Sequence, residues 1–210
     1  MRDHFAELFP EWAVAWSLRE AWRANAARFW TEARFHPTEA PGDVLRLADM
    51  FPEVSVAPSL RNERPFPKDG ANRYGLGEDR YRSTFWGLRP DFVIEAEDAS
   101  LLLLIEAKGG HVPDGTWRDP KELSYFRFLD ECTVPRRKGF SYIVPAKYAE
   151  ACHNCLAQYF APSARVPTGF LIWEELLPII HDKLIETTLD QVIKEMEGLK
   201  RLREWQQRAQ

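Results

Sequence analysis

The stretch RPDFVIEAEDASLLLLIEAKGG, Arg89 to Gly110, decides how the chain folds. Two runs of strand-forming residues, Phe92 to Glu97 and Leu101 to Ala107, flank a polar break at Asp98-Ala99. That pattern predicts a β-hairpin. With a two-residue turn, residue 97 pairs with residue 100, and the same register sets Asp91 directly opposite Glu106. Side chains alternate faces along a strand, so Glu106 and Lys108 point the same way. Cross-strand partners bring their Cβ atoms to roughly 5 Å, which puts Asp91 on that face too. Asp-Ala is a weak two-residue turn, and a slip of one residue would part the carboxylates. The run Leu101 to Ile105 is uninterrupted apolar, the mark of a strand buried on both faces.

Two carboxylates at this spacing repel unless a cation lies between them. A hard divalent ion, Mg²⁺ or Mn²⁺, takes oxygen ligands and keeps several waters for a phosphate substrate. Asp91 and Glu106 are the expected ligands, with the Ala107 carbonyl as a third. Lys108 is placed to orient the attacking water or to steady charge on a phosphate.

At these residues the chain resembles the PD-(D/E)XK nuclease superfamily, the restriction-endonuclease-like group. The match is Pro90-Asp91, fourteen residues, then Glu106-Ala107-Lys108. The resemblance implies that Asp91 and Glu106 bind metal, that Lys108 is catalytic, and that the substrate is DNA. A competing Asp119-Pro120-Lys121 lies at a loop-to-helix junction and is set aside. The implied fold is α/β, with an αβββαβ core around a mixed sheet over residues 42–175. A Trp-rich helical extension (1–40) precedes it and C-terminal helices (176–210) follow, all in one domain. Restriction, repair and defence roles fit equally. The rivals are a non-catalytic nucleic-acid-binding or assembly subunit that keeps the fold, and a hydrolase of small phosphorylated substrates, which would need a closed pocket.

Composition sets the outer bounds. The chain has 210 residues, 45% of them hydrophobic, enough for one substantial core. Its net charge of −4 means that nucleic acid must be gripped by a local basic patch. The opening MRDHFAELF lacks the pattern of a signal peptide, no stretch is apolar enough to span a membrane, and three Cys suggest no disulfide framework; a cytoplasmic location is expected.

Along the chain, residues 1–36 read as helical, with Trp12, Trp16, Trp22, Phe29 and Trp30 near a helical period, and His36-Pro37 ending the helix. A short helix follows Pro41-Gly42-Asp43. Residues 58–80 read as irregular, and Tyr81 to Leu88 as the first strand of the sheet. Between Arg61 and Arg89, seven cations face four acidic residues, with Tyr74, Tyr81, Phe85 and Trp86 interleaved. Such a segment either grips a phosphate backbone or is an ordinary solvated loop. Arg82 and Arg89 are its candidate contacts.

Asp119-Pro120-Lys121-Glu122 predicts a helix start, and that helix runs to about Cys132. Within it, Lys121 and Tyr125 have the spacing of the Gln-xxx-Tyr pair of the recombination and repair exonucleases, with Lys in place of Gln. They and the basic turn Arg136-Arg137-Lys138 are the remaining candidate nucleic-acid contacts. Strands are expected at Gly139 to Val144 and Phe170 to Trp173, with a helix between. Candidates for a further acidic ligand are Glu20, Glu32, Asp49, Glu53 and Glu63. Cys132, Cys152, His153 and Cys155 either form a Zn²⁺ site or pack as core. The three–four apolar spacing from Leu189 to Trp205 predicts a terminal helix able to form a homodimer.

Overall fold

Strand Leu101–Ala107 is buried along its whole length, as its unbroken apolar run requires. The computed structural model describes residues 18–19, 22–23, 26–52, 59–62, 66–67, 69–108, 120–159 and 166–180. In chain order these form helix α1 (Ala26–Glu32), strands β1 (Arg34–Pro37) and β2 (Leu45–Arg46), helix α2 (Leu47–Met50), strand β3 (Ser59–Asn62) and helix α3 (Gly70–Tyr74). Next come α4 (Glu78–Arg80), a π-helical turn (Tyr81–Phe85), β4 (Phe92–Glu95), β5 (Leu101–Ala107), α5 (Pro120–Glu131) and β6 (Arg137–Val144). A 3₁₀ turn (Ala146–Tyr148), α6 (Ala149–Tyr159), β7 (Thr168–Ile172), α7 (Trp173–Leu176) and a last 3₁₀ turn (Leu177–Ile180) complete the described elements. By its contacts the chain divides at Ile180. The expected terminal dimer helix and the stripe residues Trp12 and Trp16 lie outside the described residues.

The architecture is α/β: a seven-stranded mixed sheet, in the order β2-β1-β7-β6-β5-β4-β3, flanked by helices. Strands β5, β6 and β7 run parallel, and β3-β4-β5 form an antiparallel meander beside them. The register of β4 on β5 pairs Phe92 with Ile105 and Glu95 with Leu102, so the expected pairing holds. The turn that carries it is longer than expected. Ala96 N–H donates to the Leu101 carbonyl (3.2 Å), and Glu97 to Ser100 form the loop. Ala99 takes a left-handed φ of 57°, and the Asp98 carboxylate accepts the Ser100 N–H at 3.0 Å. An Asx-type bond and one left-handed residue thus replace a tight two-residue turn without moving the register.

Alternation sorts the sheet into two faces. Val93, Leu102, Leu104, Phe140, Tyr142, Val144 and Phe170 pack on one face with Tyr74, Tyr81, Phe85, Tyr125, Phe128 and Leu156 from the helices. On the other face, Phe51 and Leu103 both lie close to Gly139, and the Trp30 ring sits tilted against Phe51.

Several expectations are corrected. Arg34–Pro37 is a strand, so the first helix stops at Glu32, ahead of His36-Pro37. The second helix is only one turn, and Leu45–Arg46 before it is an edge strand. Tyr81–Leu88 is not the first strand; Tyr81, Phe85 and Leu88 follow a helical period and bury one face of a helical turn. The meander's outer strand is instead Ser59–Asn62, inside the stretch that read as irregular. Its sequence, SLRN, has little strand propensity; its place at the sheet edge comes from backbone pairing with β4. Trp173 begins a helix and does not end β7.

Candidate functional site

Asp91 sits just before β4, after the buried Pro90, and Glu106 lies near the end of β5. The residues interlock. The Asp91 N–H donates to Glu106 Oε2 at 3.2 Å, and the Ala107 N–H donates to Asp91 Oδ2 at 2.8 Å. Each carboxylate thereby accepts a main-chain donor from the other's strand, extending the β4–β5 pairing past Phe92. Lys108 brings its Nζ to 3.9 Å from Glu106 Oε1, and its N–H continues the parallel pairing to the Ile143 carbonyl. Glu106 is 2% exposed, the Lys108 side chain 17%, and Asp91 is half-buried. The site is therefore a buried acid with a half-open rim, at one end of the central strands.

Two carboxylates held on neighbouring strands, with an ammonium alongside, form a hard-oxygen donor set that a divalent cation suits. Among the described residues no group of three or more His, Cys, Asp and Glu side chains could hold a metal. Two carboxylates and a main-chain carbonyl fall outside that count. Of the candidates for a further acid, Glu32 pairs with Arg28 and Asp49 with Arg46, both on exposed helix surfaces. Glu20, Glu53 and Glu63 lie outside the described residues.

The candidate nucleic-acid contacts separate. Arg89 is exposed, two residues before Asp91, and among the described residues it pairs with no carboxylate. Arg82 is exposed and pairs with Glu78 at 2.6 Å. Lys121 falls on α5, its side chain outside the described set. Tyr125 is fully buried against Phe140, so its expected nucleic-acid contact is corrected to a core role.

The basic turn lies apart from the carboxylates. Arg137 pairs with Leu101 and Lys138 with Leu102, at the opposite end of β5 from Glu106, roughly 17 Å away at about 3.3 Å per residue. There these residues hold the hairpin loop. The Arg136 N–H donates to the Ala99 carbonyl, and the Arg136 guanidinium lies 3.7 Å from Asp98. Hydrogen bonds from Ser100, helped by Arg136, hold the Asp98 carboxyl below its ordinary pKa. Lys138 Nζ donates to the Cys132 carbonyl at 2.6 Å.

Cys132, Cys152 and Cys155 are buried within the aromatic core, and no disulfide joins them. That placement is core packing and corrects the Zn²⁺ alternative among the described residues. The sequence reading missed two features. Tyr142 is the cross-strand partner of Glu106 and is fully buried. Arg73 binds the buried Glu95 at 2.9 Å. Tyr142 depends on the β5–β6 register and Glu95 on a contact from a distant helix, so no local signal announces either. No described helix is long and apolar enough to cross a membrane. No family model, curated protein or solved structure matches the chain.

Proposed function

We propose that the chain is a metal-dependent nuclease that hydrolyses DNA phosphodiester bonds, built on a restriction-endonuclease-like core. The observation that carries this reading is the reciprocal clamp of Asp91 and Glu106, with Lys108 at 3.9 Å. The order α2, β3, β4, β5, α5, β6, a helix, three strands, a helix and a strand, supports it. Asp91, Glu106 and the Ala107 carbonyl would hold Mg²⁺ or Mn²⁺. When bound, that ion supplies a water of lowered pKa and neutralises phosphoryl oxygens.

The remaining work falls to the chain itself. Hydrogen bonds from the Asp91 and Ala107 main chain fix both carboxylates before substrate arrives, so little reorganisation is left for the reaction. The Lys108 ammonium, on the same side as Glu106, orients the attacking water and offsets charge that develops on the phosphate. Arg89, exposed beside Asp91, anchors a neighbouring phosphate.

The test is cleavage of supercoiled, linear, branched and single-stranded DNA, with RNA for comparison, with and without Mg²⁺ or Mn²⁺. Lys108→Ala should lower the metal-dependent rate by about 10²- to 10³-fold, as expected for removal of a transition-state donor. It should leave the circular dichroism unchanged, because the side chain reaches the rim of the site. A wild type that binds DNA equally with and without metal, and cuts nothing, would make the chain a non-catalytic nucleic-acid module.

A further inference from the structure

The carboxylate end of β5 has a strand on each side. On the β4 side stands Arg89, two residues before Asp91. On the β6 side the chain leaves Val144 through Pro145 and enters the 3₁₀ turn Ala146–Tyr148. The Lys108 N–H, bonded to the Ile143 carbonyl at 2.9 Å, sets the end of β6 beside Lys108. The turn therefore follows directly from the strand end that adjoins the site. It is pinned from two sides. The Ala146 N–H donates to Glu174 Oε2 at 2.8 Å, and the Tyr148 N–H donates to the Pro145 carbonyl at 2.9 Å.

The cation of this turn is Lys147, which is exposed. Its ammonium lies over the Tyr148 ring, 4.8 Å from the centroid. Tyr148 in turn packs against the core cluster that holds Leu102, Leu104, Tyr142 and Val144. Glu106 and Lys108 continue the face of Leu102 and Leu104 by two-residue alternation, so Lys147 lies on the side of the sheet that carries the site. An aromatic face attracts an ammonium without neutralising it, and the donors turned away from the ring stay available. Among the described residues Lys147 pairs with no carboxylate, Glu150 and Glu174 included. Other exposed cations differ: Arg34 lies 4.0 Å from Glu175, Arg46 pairs with Asp49 and Arg82 with Glu78.

We infer that Lys147 binds a backbone phosphate of the DNA strand that is cut, on the opposite side of the carboxylates from Arg89. Strands β4 and β6 lie two strand spacings apart, roughly 10 Å, which matches about three nucleotide steps at roughly 3.4 Å each. Arg89 and Lys147 then hold the strand on both sides of the linkage at Asp91 and Glu106. One anchor would let the strand pivot over the site, whereas two fix where the reacting phosphate falls. This inference rests on the nuclease reading for the cut but has its own readout in binding.

The experiment measures binding of a labelled duplex by fluorescence anisotropy, over a salt series and without divalent metal, so that nothing is cut. The full-length chain is compared with Lys147→Met, which keeps the aliphatic stem beside Tyr148 and removes the charge, and with Lys147→Arg. Lys147→Met should weaken binding by about 3- to 10-fold at about 0.15 M salt and lower the salt-dependence slope by about 0.9, the share of one phosphate. Lys147→Arg should keep both. Duplexes that each carry one uncharged methylphosphonate linkage then locate the contact. One such linkage should cost the native chain what Lys147→Met costs, and should cost the Lys147→Met chain nothing further. It should lie within about three nucleotides of the linkage that is cut once Mg²⁺ is added. Unchanged affinity and slope in Lys147→Met, an equal loss in Arg136→Ala at the far end of the strands, or a matching linkage that is missing or lies beyond that distance, would overturn the inference. Cleavage is scored separately. Cutting without any Lys147 effect on binding leaves the nuclease reading standing and removes the anchor. A Lys147-dependent linkage in a chain that cuts nothing keeps the phosphate contact and removes the nuclease reading.

Discussion

Glu106 shows what a charged residue needs in order to sit inside this molecule. A buried carboxylate without partners costs several kcal/mol, about as much as a whole small domain has to spare. Glu106 is 2% exposed, yet it accepts the Asp91 N–H and lies near the Lys108 ammonium. Cys132 is the opposite case, a neutral group that burial keeps neutral. Desolvation pushes its thiol up from 9.0 to about 12, against the opposing pull of Lys138. The folded value lies above the unfolded one, so the stability it contributes is complete below pH 9.0 and is lost as pH rises towards about 12. Urea midpoints measured across that window should fall more steeply for the native chain than for Cys132→Ala. Parallel slopes would show that the thiol does not carry this dependence.

At the level of elements, the antiparallel pairing of β1 with β7 depends on one missing side chain. A Cβ at Gly169 would come within 2.4 Å of the His36 carbonyl oxygen and 2.5 Å of the buried Phe35 ring. Neither neighbour yields easily, one being backbone and the other fully buried. Gly169→Ala should therefore cost at least about 3 kcal/mol, at or beyond the usual range for overpacking. Gly87→Ala, where nothing lies within 4 Å, should change stability by no more than about 1 kcal/mol. Denaturant midpoints of the two variants decide the point, and similar losses would mean that β1 and β7 can part to admit a methyl group. The helical turn at Tyr81–Phe85 reads as a strand because its two aromatics sit four residues apart, a spacing that fits one face of a strand as well as one face of a helix. The helical signal was there, in Tyr81, Phe85 and Leu88 and in the acidic first turn Glu78-Asp79.

At the scale of the whole molecule, the antiparallel pairing of β4 with β5 and the parallel pairing of β5 with β6 put two cationic features among the described residues at opposite ends of the central strands. Arg89 stands at the carboxylate end, while Arg136 and Arg137 stand at the hairpin-loop end, where they bind Asp98 and the loop backbone. If DNA engages the carboxylate end, Arg89→Ala should weaken binding to every substrate alike and lower the salt-dependence slope by about 1. The double variant Arg136→Ala, Arg137→Ala should leave affinity and slope unchanged. Affinities measured over a salt series check both, and an equal loss in the double variant would put the loop end in the interface.

The hairpin and the juxtaposition of Asp91, Glu106 and Lys108 were legible in the sequence alone. They follow from two-residue alternation within one short stretch, where chain neighbours are also neighbours in space. The register survived a wrong turn type because the four-residue loop, closed by the Asx bond at Asp98 and the left-handed Ala99, joins the same residue pairs. Distant pairing left no comparable local trace. The edge position of Ser59–Asn62, the seat of β1 on β7, the burial of Tyr125 and the removal of Arg136-Arg137-Lys138 from the site were all decided by the tertiary structure. Each depends on which strand lies beside which and in what direction, and backbone hydrogen bonding sets that with little regard to side-chain type.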